Sequence, residues 1–304
     1  MEKASPPSAS ADDPILPADF DSNEAVTLKQ TREAAAASET TETGRYLELI
    51  GVPRMAPLTS PFDPGYDPAT LASHLEQSGH LISILKISMA CWMIAREAAT
   101  RAKLAAAREH EVRTVTGGGP FEVAVAQGRL AEYLDLCGRM GFERVECGAG
   151  FTDMSLAPAD VVAMASERGL EVQYEVGPKH GGLRPGDVGP MIDEARAWLE
   201  AGAREIVVEA RESAVGVGVF DADGRLGSDI ADRFADALGL DSLCFEAPTK
   251  SSQFSLLDHF GPGVRLSNVR LEELLRVEIY RRGLHSDAFA NPRLRPPAPD
   301  APRT

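Results

Sequence analysis

Residues 142–176 read FERVECGAGFTDMSLAPADVVAMASERGLEVQYEV. A short β-rich run, FERVEC (142–147), gives way to a helix-period segment, PADVVAMASERG (158–169), and then to a second β-rich run, LEVQYEV (170–176). The middle segment closes on Arg168-Gly169, a basic last turn followed by the residue that most readily ends a helix. Strand, helix, strand in this order is a βαβ unit, which needs a parallel sheet and a helix to cover it.

The same alternation continues in both directions. Further strands are predicted at LISILKI (81–87), EVRTV (111–115), EIVVEA (205–210), SLCFEA (242–247) and VRLSNV (264–269), with a weaker one at VPRMAPLTS (52–60). Between them lie helical segments at 93–109, 128–140, 187–202, 228–239, 251–261 and 271–283. Near-continuous apolar strands alternating with helices belong to the α/β class. Eight strands favour a closed (β/α)8 TIM-type barrel over an open doubly wound sheet, which is the structural alternative. Residues 46–290 match the ~250 residues such a barrel takes. Residues 1–45, rich in Ala, Ser, Thr, Pro and acids, are expected to be a disordered acidic tail in which 24–37 forms a transient helix. Residues 291–304 are expected to be an extended Pro-rich tail.

The 304 residues carry 31 Lys and Arg against 46 Asp and Glu, a net charge of −15 that repels phosphate backbones and speaks against nucleic-acid binding. No apolar run approaches the ~18 residues of a membrane span, and no secretory signal is visible. Cys91, Cys137, Cys147 and Cys244 have no CxxC pairing and are too sparse for a disulfide framework. These features point to a cytoplasmic setting. A homo-oligomer stays open as the assembly.

In a barrel of this kind the site lies where the carboxyl ends of the strands meet the following loops. The polar residues there are Lys86 on the second strand, Gly117-Gly118-Gly119-Pro120-Phe121-Glu122 after the third, and Ser267 and Asn268 on the eighth. The fourth to seventh strands supply Glu146, Glu175, Glu209 and Glu246. Each acid alone reads equally well as an interior group paired with Lys86 or Arg211. Four around one mouth repel unless a cation neutralises them, and hard oxygen ligands favour Mg2+. His and Cys are too few nearby for zinc. A metal so held stabilises an enediolate forming at a substrate carboxylate. Glu146, Glu175 and Glu209 are the metal candidates by rim position.

Lys179, in the Gly-rich loop after Glu175, is a candidate general acid or base, against the plainer reading of a solvated lysine. His180 beside it is weak on its own. Arg211 is placed to clamp a carboxylate or phosphate. Lys250 starts a helix in the loop where barrels often bind phosphate, while Thr249, Ser251 and Ser252 beside it read equally as helix caps. Arg281 and Arg282 complement the dipole of the last helix. Trp92 and Trp198 fall on apolar helix faces, and Cys147 and Cys244 read as small core fillers.

Taken together, these segments resemble the phosphosulfolactate synthase family, the ComA-type enzymes of coenzyme M biosynthesis. The resemblance is carried by Gly117-Gly118 with Phe121-Glu122, Glu175-Val176-Gly177 with Lys179, Glu209-Ala210-Arg211-Glu212-Ser213 and Phe245-Glu246-Ala247-Pro248 with Lys250 and Gln253. It continues through Asn268 and Arg281-Arg282-Gly283-Leu284 to Asp287 and Phe289. It runs in order over about 110–290 and is looser over 50–110. It implies a (β/α)8 barrel and Mg2+-dependent addition of sulfite to phosphoenolpyruvate, giving (R)-2-phospho-3-sulfolactate. Lys179 matches the family's proposed catalytic lysine and is assigned the proton-donor role. Lys86, Arg211, Lys250 and Asn268 are the candidates for binding a small anionic carboxylate substrate. The chain departs from the family pattern at Asp63-Pro64-Gly65, Ser88-Met89-Ala90-Cys91, Gly148-Ala149-Gly150 and Ala214-Val215-Gly216. Two further readings stand beside the first: a divergent member using the same chemistry on another carboxylate, and a non-catalytic, stress-related relative.

Overall fold

Eight parallel strands follow one another around a closed barrel, each bonded to the next and the last to the first. The computed structural model describes residues 41–151, 156–179 and 181–295. The strands are β1 (Thr59–Asp63), β2 (Leu85–Ile87), β3 (Thr114–Thr116), β4 (Arg144–Gly148), β5 (Glu171–Val176), β6 (Ile206–Val208), β7 (Leu243–Glu246) and β8 (Arg265–Arg270). The helices are α1 (Glu42–Leu49), α2 (Pro68–Ser78), α3 (Cys91–Ile94), α4 (Glu97–Glu109), α5 (Gly118–Ala126), α6 (Leu130–Met140), α7 (Pro158–Ser166), α8 (Val188–Glu200), α9 (Ser228–Leu238), α10 (Lys250–Phe260) and α11 (Leu274–Arg281). The barrel, rather than the open sheet, is the fold, because β1 pairs with β8. Among the described residues, no helix is long and apolar enough to cross a membrane.

Most elements fall where the sequence places them, and the differences have local causes. The first strand lies at 59–63 rather than 52–60, and its register with β8 shifts between Ser60 and Pro61. A proline cannot donate to the ladder, so it weakens a strand signal and is tolerated at such an irregularity. Helix α2 was not anticipated, although Asp67 caps it through the Ala69 and Thr70 amides and Pro68 takes the first turn. Helix α5 hides behind Gly118-Gly119-Pro120, which reads as a loop. There is a reason for Gly118: its amide donates to Glu146 Oε1 at 2.9 Å, and a Cβ would stand 3.4 Å from that oxygen.

Both tails are shorter than expected within the described residues. Residues 42–45 already belong to α1, while the expected disorder of 1–40 and the helix at 24–37 lie outside the described residues. At the other end, Leu294 is buried and Arg295 donates to the Ile50 carbonyl at 3.1 Å. Residues 296–304 lie outside the described set.

Two chemically different interiors result. Outward-facing strand residues such as Leu85, Val145, Val172, Tyr174, Val208 and Phe245 join the apolar layer under the helices, where Trp92 and Trp198 are also buried. Inside the barrel the filling is ionic. Lys86 on β2 reaches Glu146 on β4 at 2.8 Å and Glu246 on β7 at 3.6 Å. Those strands are not neighbours, so the three side chains meet across the interior. Deeper still, Arg144 reaches Gln173 and Glu205, and Arg265 reaches Glu205. Charges removed from water persist only when paired and hydrogen-bonded, and here each is.

Candidate active site

Register decides which carboxylates share a level. Along the β4–β5 pair, Glu146 lies opposite Gln173, whereas Glu175 lies opposite Gly148, two residues nearer the carboxyl end. Val208 lies opposite Phe245, so Glu209 and Glu246 follow side by side at the ends of β6 and β7. Oxygens of Glu175, Glu209 and Glu246, all buried, come within 4.8 Å of one another. Glu146 is not among them. It sits one side-chain layer deeper, held by Lys86 Nζ at 2.8 Å, the Gly118 amide at 2.9 Å and the Gln173 side chain at 2.8 Å. The expected trio of Glu146, Glu175 and Glu209 is therefore not gathered at one level: Glu246, not Glu146, lies beside Glu175 and Glu209, because strand stagger, not strand-end position, sets the level.

Lys179 lies in the loop after β5, and its ammonium donates to both Glu175 and Glu209. The other polar contacts fix the acids from behind. Glu246 accepts from the Ala210 and Arg211 amides at 2.9 and 3.0 Å and from the Asn268 side chain. The Arg211 amide also donates to Glu209 at 2.6 Å. Arg211 and Asn268 both have φ in the left-handed region, at +59° and +52°. Non-glycine residues there cost of order 1–3 kcal/mol and persist where the surroundings over-determine them. Here the two carboxylates do so.

The charges do not balance without help. Burial pushes the Glu246 carboxyl up to about 8, and the neighbouring Glu209 charge adds to the push. Burial also disfavours the Glu209 charge, but the hydrogen bond from Glu246 and the Lys179 ammonium outweigh it and hold Glu209 low. The pair is thus driven apart, Glu246 toward its neutral form and Glu209 toward its charged one. Burial disfavours the Lys86 ammonium too, yet Glu146 and Glu246 outweigh it and hold that group above its usual range. Three buried carboxylates whose oxygens lie within 4.8 Å of one another, with oxygen donors only, fit a hard divalent cation of the Mg2+ kind.

The remaining predicted residues separate. Lys86 lies behind the acids as their counter-charge, and Asn268 faces Glu246. The Arg211 guanidinium stands at the mouth, 5.7 Å from the centre of the Phe151 ring. Lys250 is half-exposed, paired with Asp287 at 3.1 Å and set over the Phe254 ring, away from the trio. Thr249 and Ser252 form a capping box on α10, so the helix-cap reading of these residues holds. His180 lies outside the described residues. Arg281 is fully buried and bonds Glu278, the Thr59 hydroxyl and the Pro262 and Val264 carbonyls, which makes it a structural clasp. Sequence reading placed Glu122 near the rim without giving it a role, and it passed over Phe151. Buried Glu122 accepts from the Phe151 amide at 2.6 Å and so holds the loop after β4. A separate cavity of about 300 Å3 opens between α1, the lead-in to β1 and α11, lined by Leu47, Val52, Leu275 and Ile279 with Arg54 and Arg282. It shares no residue with the carboxylate centre.

A closed parallel barrel that gathers buried acids and a bridging lysine at the carboxyl ends of its strands defines the class, a (β/α)8-barrel enzyme. A fructose-1,6-biphosphate aldolase-like structure from Coccidioides immitis shares this fold, with a TM-score of 0.50 at 15% identity over 88% of this chain and 90% of that one. Among curated proteins, phosphosulfolactate synthase from Methanocaldococcus jannaschii is 31% identical over 237 residues, 76% of this chain and 93% of the relative. The enzyme of that name from Methanothermobacter thermautotrophicus is 31% identical over 244 residues, 79% of this chain and 93% of the relative. The family profile for (2R)-phospho-3-sulfolactate synthase (ComA) matches residues 50–287. The chain belongs to that family and is a lyase-type enzyme.

Proposed function

We propose that this enzyme adds sulfite to phosphoenolpyruvate to give (R)-2-phospho-3-sulfolactate, with Mg2+ held by Glu175, Glu209 and Glu246. The observation that carries the reading is the Lys179 ammonium set between Glu175 and Glu209 at the mouth of a barrel matched to this family. When bound, Mg2+ supplies Lewis-acid stabilisation of negative charge at the substrate carboxylate. Arg211, the mouth guanidinium without a carboxylate partner among the described residues, holds the substrate's anionic end. The sulfur lone pair forms the C–S bond at the terminal carbon, and the electron pair of the double bond moves to the adjacent carbon and its carboxylate. Lys179 delivers its proton to that adjacent carbon from one face, which makes one stereoisomer. Lys86 keeps the buried acids in place from below. The cytoplasm is the proposed setting for this chemistry, and the substrate is the proposed small anionic partner.

A second reading, another carboxylate substrate with the same enediolate-type chemistry, is favoured by the charge arrangement at the mouth. Lys86, Lys179 and Lys250 each already carry a carboxylate of this chain, which leaves few cations for a substrate bearing both phosphate and carboxylate. One assay separates the two. The purified protein is incubated with phosphoenolpyruvate, sulfite and Mg2+, and products are followed by mass spectrometry. Phosphosulfolactate that disappears with a chelator is the expected result. No such product rules out the first reading, and chelator-insensitive turnover removes the metal.

A further inference from the structure

The cavity between α1, the lead-in to β1 and α11 encloses about 300 Å3, within the size range of sites that take small molecules. Glu278, on its wall, bonds Thr59 at the amino end of β1, so the cavity lies at the opposite end of that strand from the catalytic mouth. Its walls come from segments far apart in the chain, with Leu47 of α1 and Val52 joining Leu275 and Ile279 of α11. Leu275 and Ile279 stand 39% and 41% exposed although both are large and apolar. They and Arg282 are spaced i, i+4, i+7, so one stripe along α11 offers two apolar side chains and then a guanidinium.

The charge at the end of that stripe is positive. Glu278 is the carboxylate bonded to both Arg281 and Arg282, so one anion answers two cations. Arg281 is fully buried, and its other bonds go to the Thr59 hydroxyl and the Pro262 and Val264 carbonyls. Arg282 reaches the Glu278 side chain and carbonyl through Nη1 alone, and among the described residues its Nε and Nη2 make no hydrogen bond. The remaining charges on the wall cancel, since Arg54 is paired with Glu48 at 3.1 Å. His80 brings no anion, and burial first and the Arg282 charge second hold its ring below the ordinary value. A guanidinium with open donors at the end of an apolar stripe is the complement of a carboxylate at the end of an apolar chain.

We propose that this cavity is a second binding site, separate from the catalytic mouth, for a small carboxylate with an apolar body. The carboxylate sits on Arg282, and the body lies along Leu275, Ile279, Leu47 and Val52. The elements lining the cavity are those that meet at the seam of the barrel, so a ligand bound there stabilises the closed fold.

Octanoate is the probe and octanamide its uncharged counterpart. Binding of each to the full-length protein is measured by calorimetry, with thermal unfolding followed alongside. Octanoate is expected to raise the unfolding temperature and to bind about tenfold more tightly than octanamide, the scale of a charge-assisted hydrogen bond. Arg282→Gln is expected to make the two affinities equal by weakening octanoate alone. Leu275→Glu leaves the Glu278 cluster intact and sets an anion against the ligand body, so it is expected to weaken octanoate at least tenfold; it decides the matter if Arg282→Gln does not fold. Arg211→Ala, at the mouth, is expected to change neither affinity. No octanoate binding, equal affinities in wild type, or octanoate binding untouched by the cavity variants overturns the inference. Loss of octanoate binding in Arg211→Ala overturns it too, by placing the acid at the mouth. A protein that sediments as an oligomer, dissociates with Leu275→Glu and binds no octanoate makes this face an interface between copies instead. None of these outcomes depends on the reaction at the mouth.

Discussion

Lys179 and Lys86 are both lysines among glutamates, and their surroundings give them opposite duties. Lys179 lies in a loop at the mouth, against Glu175 and Glu209. Replacing it with Ala removes the proposed proton donor, so turnover is expected to fall by about 10²–10⁴-fold; because it also leaves buried Glu175 and Glu209 without their counter-charge, the unfolding temperature is expected to fall as well. An unaltered rate in a steady-state assay takes the proton-transfer role from it. Lys86 is buried on β2 between Glu146 and Glu246. Replacing it with Met leaves two buried carboxylates without their counter-charge, a loss of about 3–5 kcal/mol by urea unfolding. A Lys86→Met protein as stable as wild type shows that water or a proton compensates. The sequence made the four strand-end acids visible, since each closes a β-rich run. It did not disclose which of them meet. That depends on the offset between Glu146–Gln173 and Gly148–Glu175 pairing, and offset is a property of two chain segments that no single run encodes.

At the scale of elements, the loop after β6 does most to shape the site. It leaves the strand at Glu209, places Arg211 and Ala214 in the left-handed region, and returns past Gly216 and Gly218. Gly218 has φ +57°, and a Cβ there would overlap the Glu209 carbonyl oxygen. The glycine is required both by its backbone conformation and by the lack of space. Gly218→Ala is expected to displace Glu209 and lower activity at least tenfold, at a stability cost of more than about 1 kcal/mol. Full activity with wild-type unfolding would show that the loop yields without disturbing the acid. On α10, Thr249→Ala removes the cap and is expected to cost about 1 kcal/mol in chemical denaturation with little effect on chemistry, as Lys250 faces Asp287. An Ala variant as stable as wild type means the capping box adds nothing here.

Legibility follows the same division between local and non-local causes. The βαβ alternation was readable because parallel strands covered by helices are apolar on their outward faces throughout. Helix α5 was not, because Gly118 answers to Glu146, distant in sequence, rather than to helix propensity. Phe151 leaves no periodic signal at all; its amide is tied to Glu122, 29 residues earlier in the chain.

For the whole molecule, closure is the decisive event, and one buried cluster sits at the seam. Glu278 on α11 accepts from the Thr59 hydroxyl at the start of β1 at 2.5 Å, from Arg281 at 3.1 Å and from Arg282. Arg281 in turn holds the Pro262 and Val264 carbonyls ahead of β8, both at 2.6 Å. First strand, last strand and last helix are thereby clasped together. Burial alone would raise the Glu278 carboxyl, but Arg281 and Arg282 outweigh it and hold that group below the usual carboxylate range. A carboxyl whose folded value lies below its unfolded one stabilises the fold fully above the unfolded value, ~4.3 for Glu. That stability is lost as pH falls from there through the folded value, where the native state too takes up the proton. Glu278→Gln cannot titrate and leaves Arg281 buried without its anion. At pH 7 it is expected to be less stable than wild type by about 3–5 kcal/mol, read by urea unfolding with the buried Trp92 and Trp198 as fluorescent reporters. Below pH 4 the gap should narrow steadily, because only the wild type loses the contribution. A gap that stays constant from pH 7 to pH 3 would mean that Glu278 acts at the seam through packing and not through its charge.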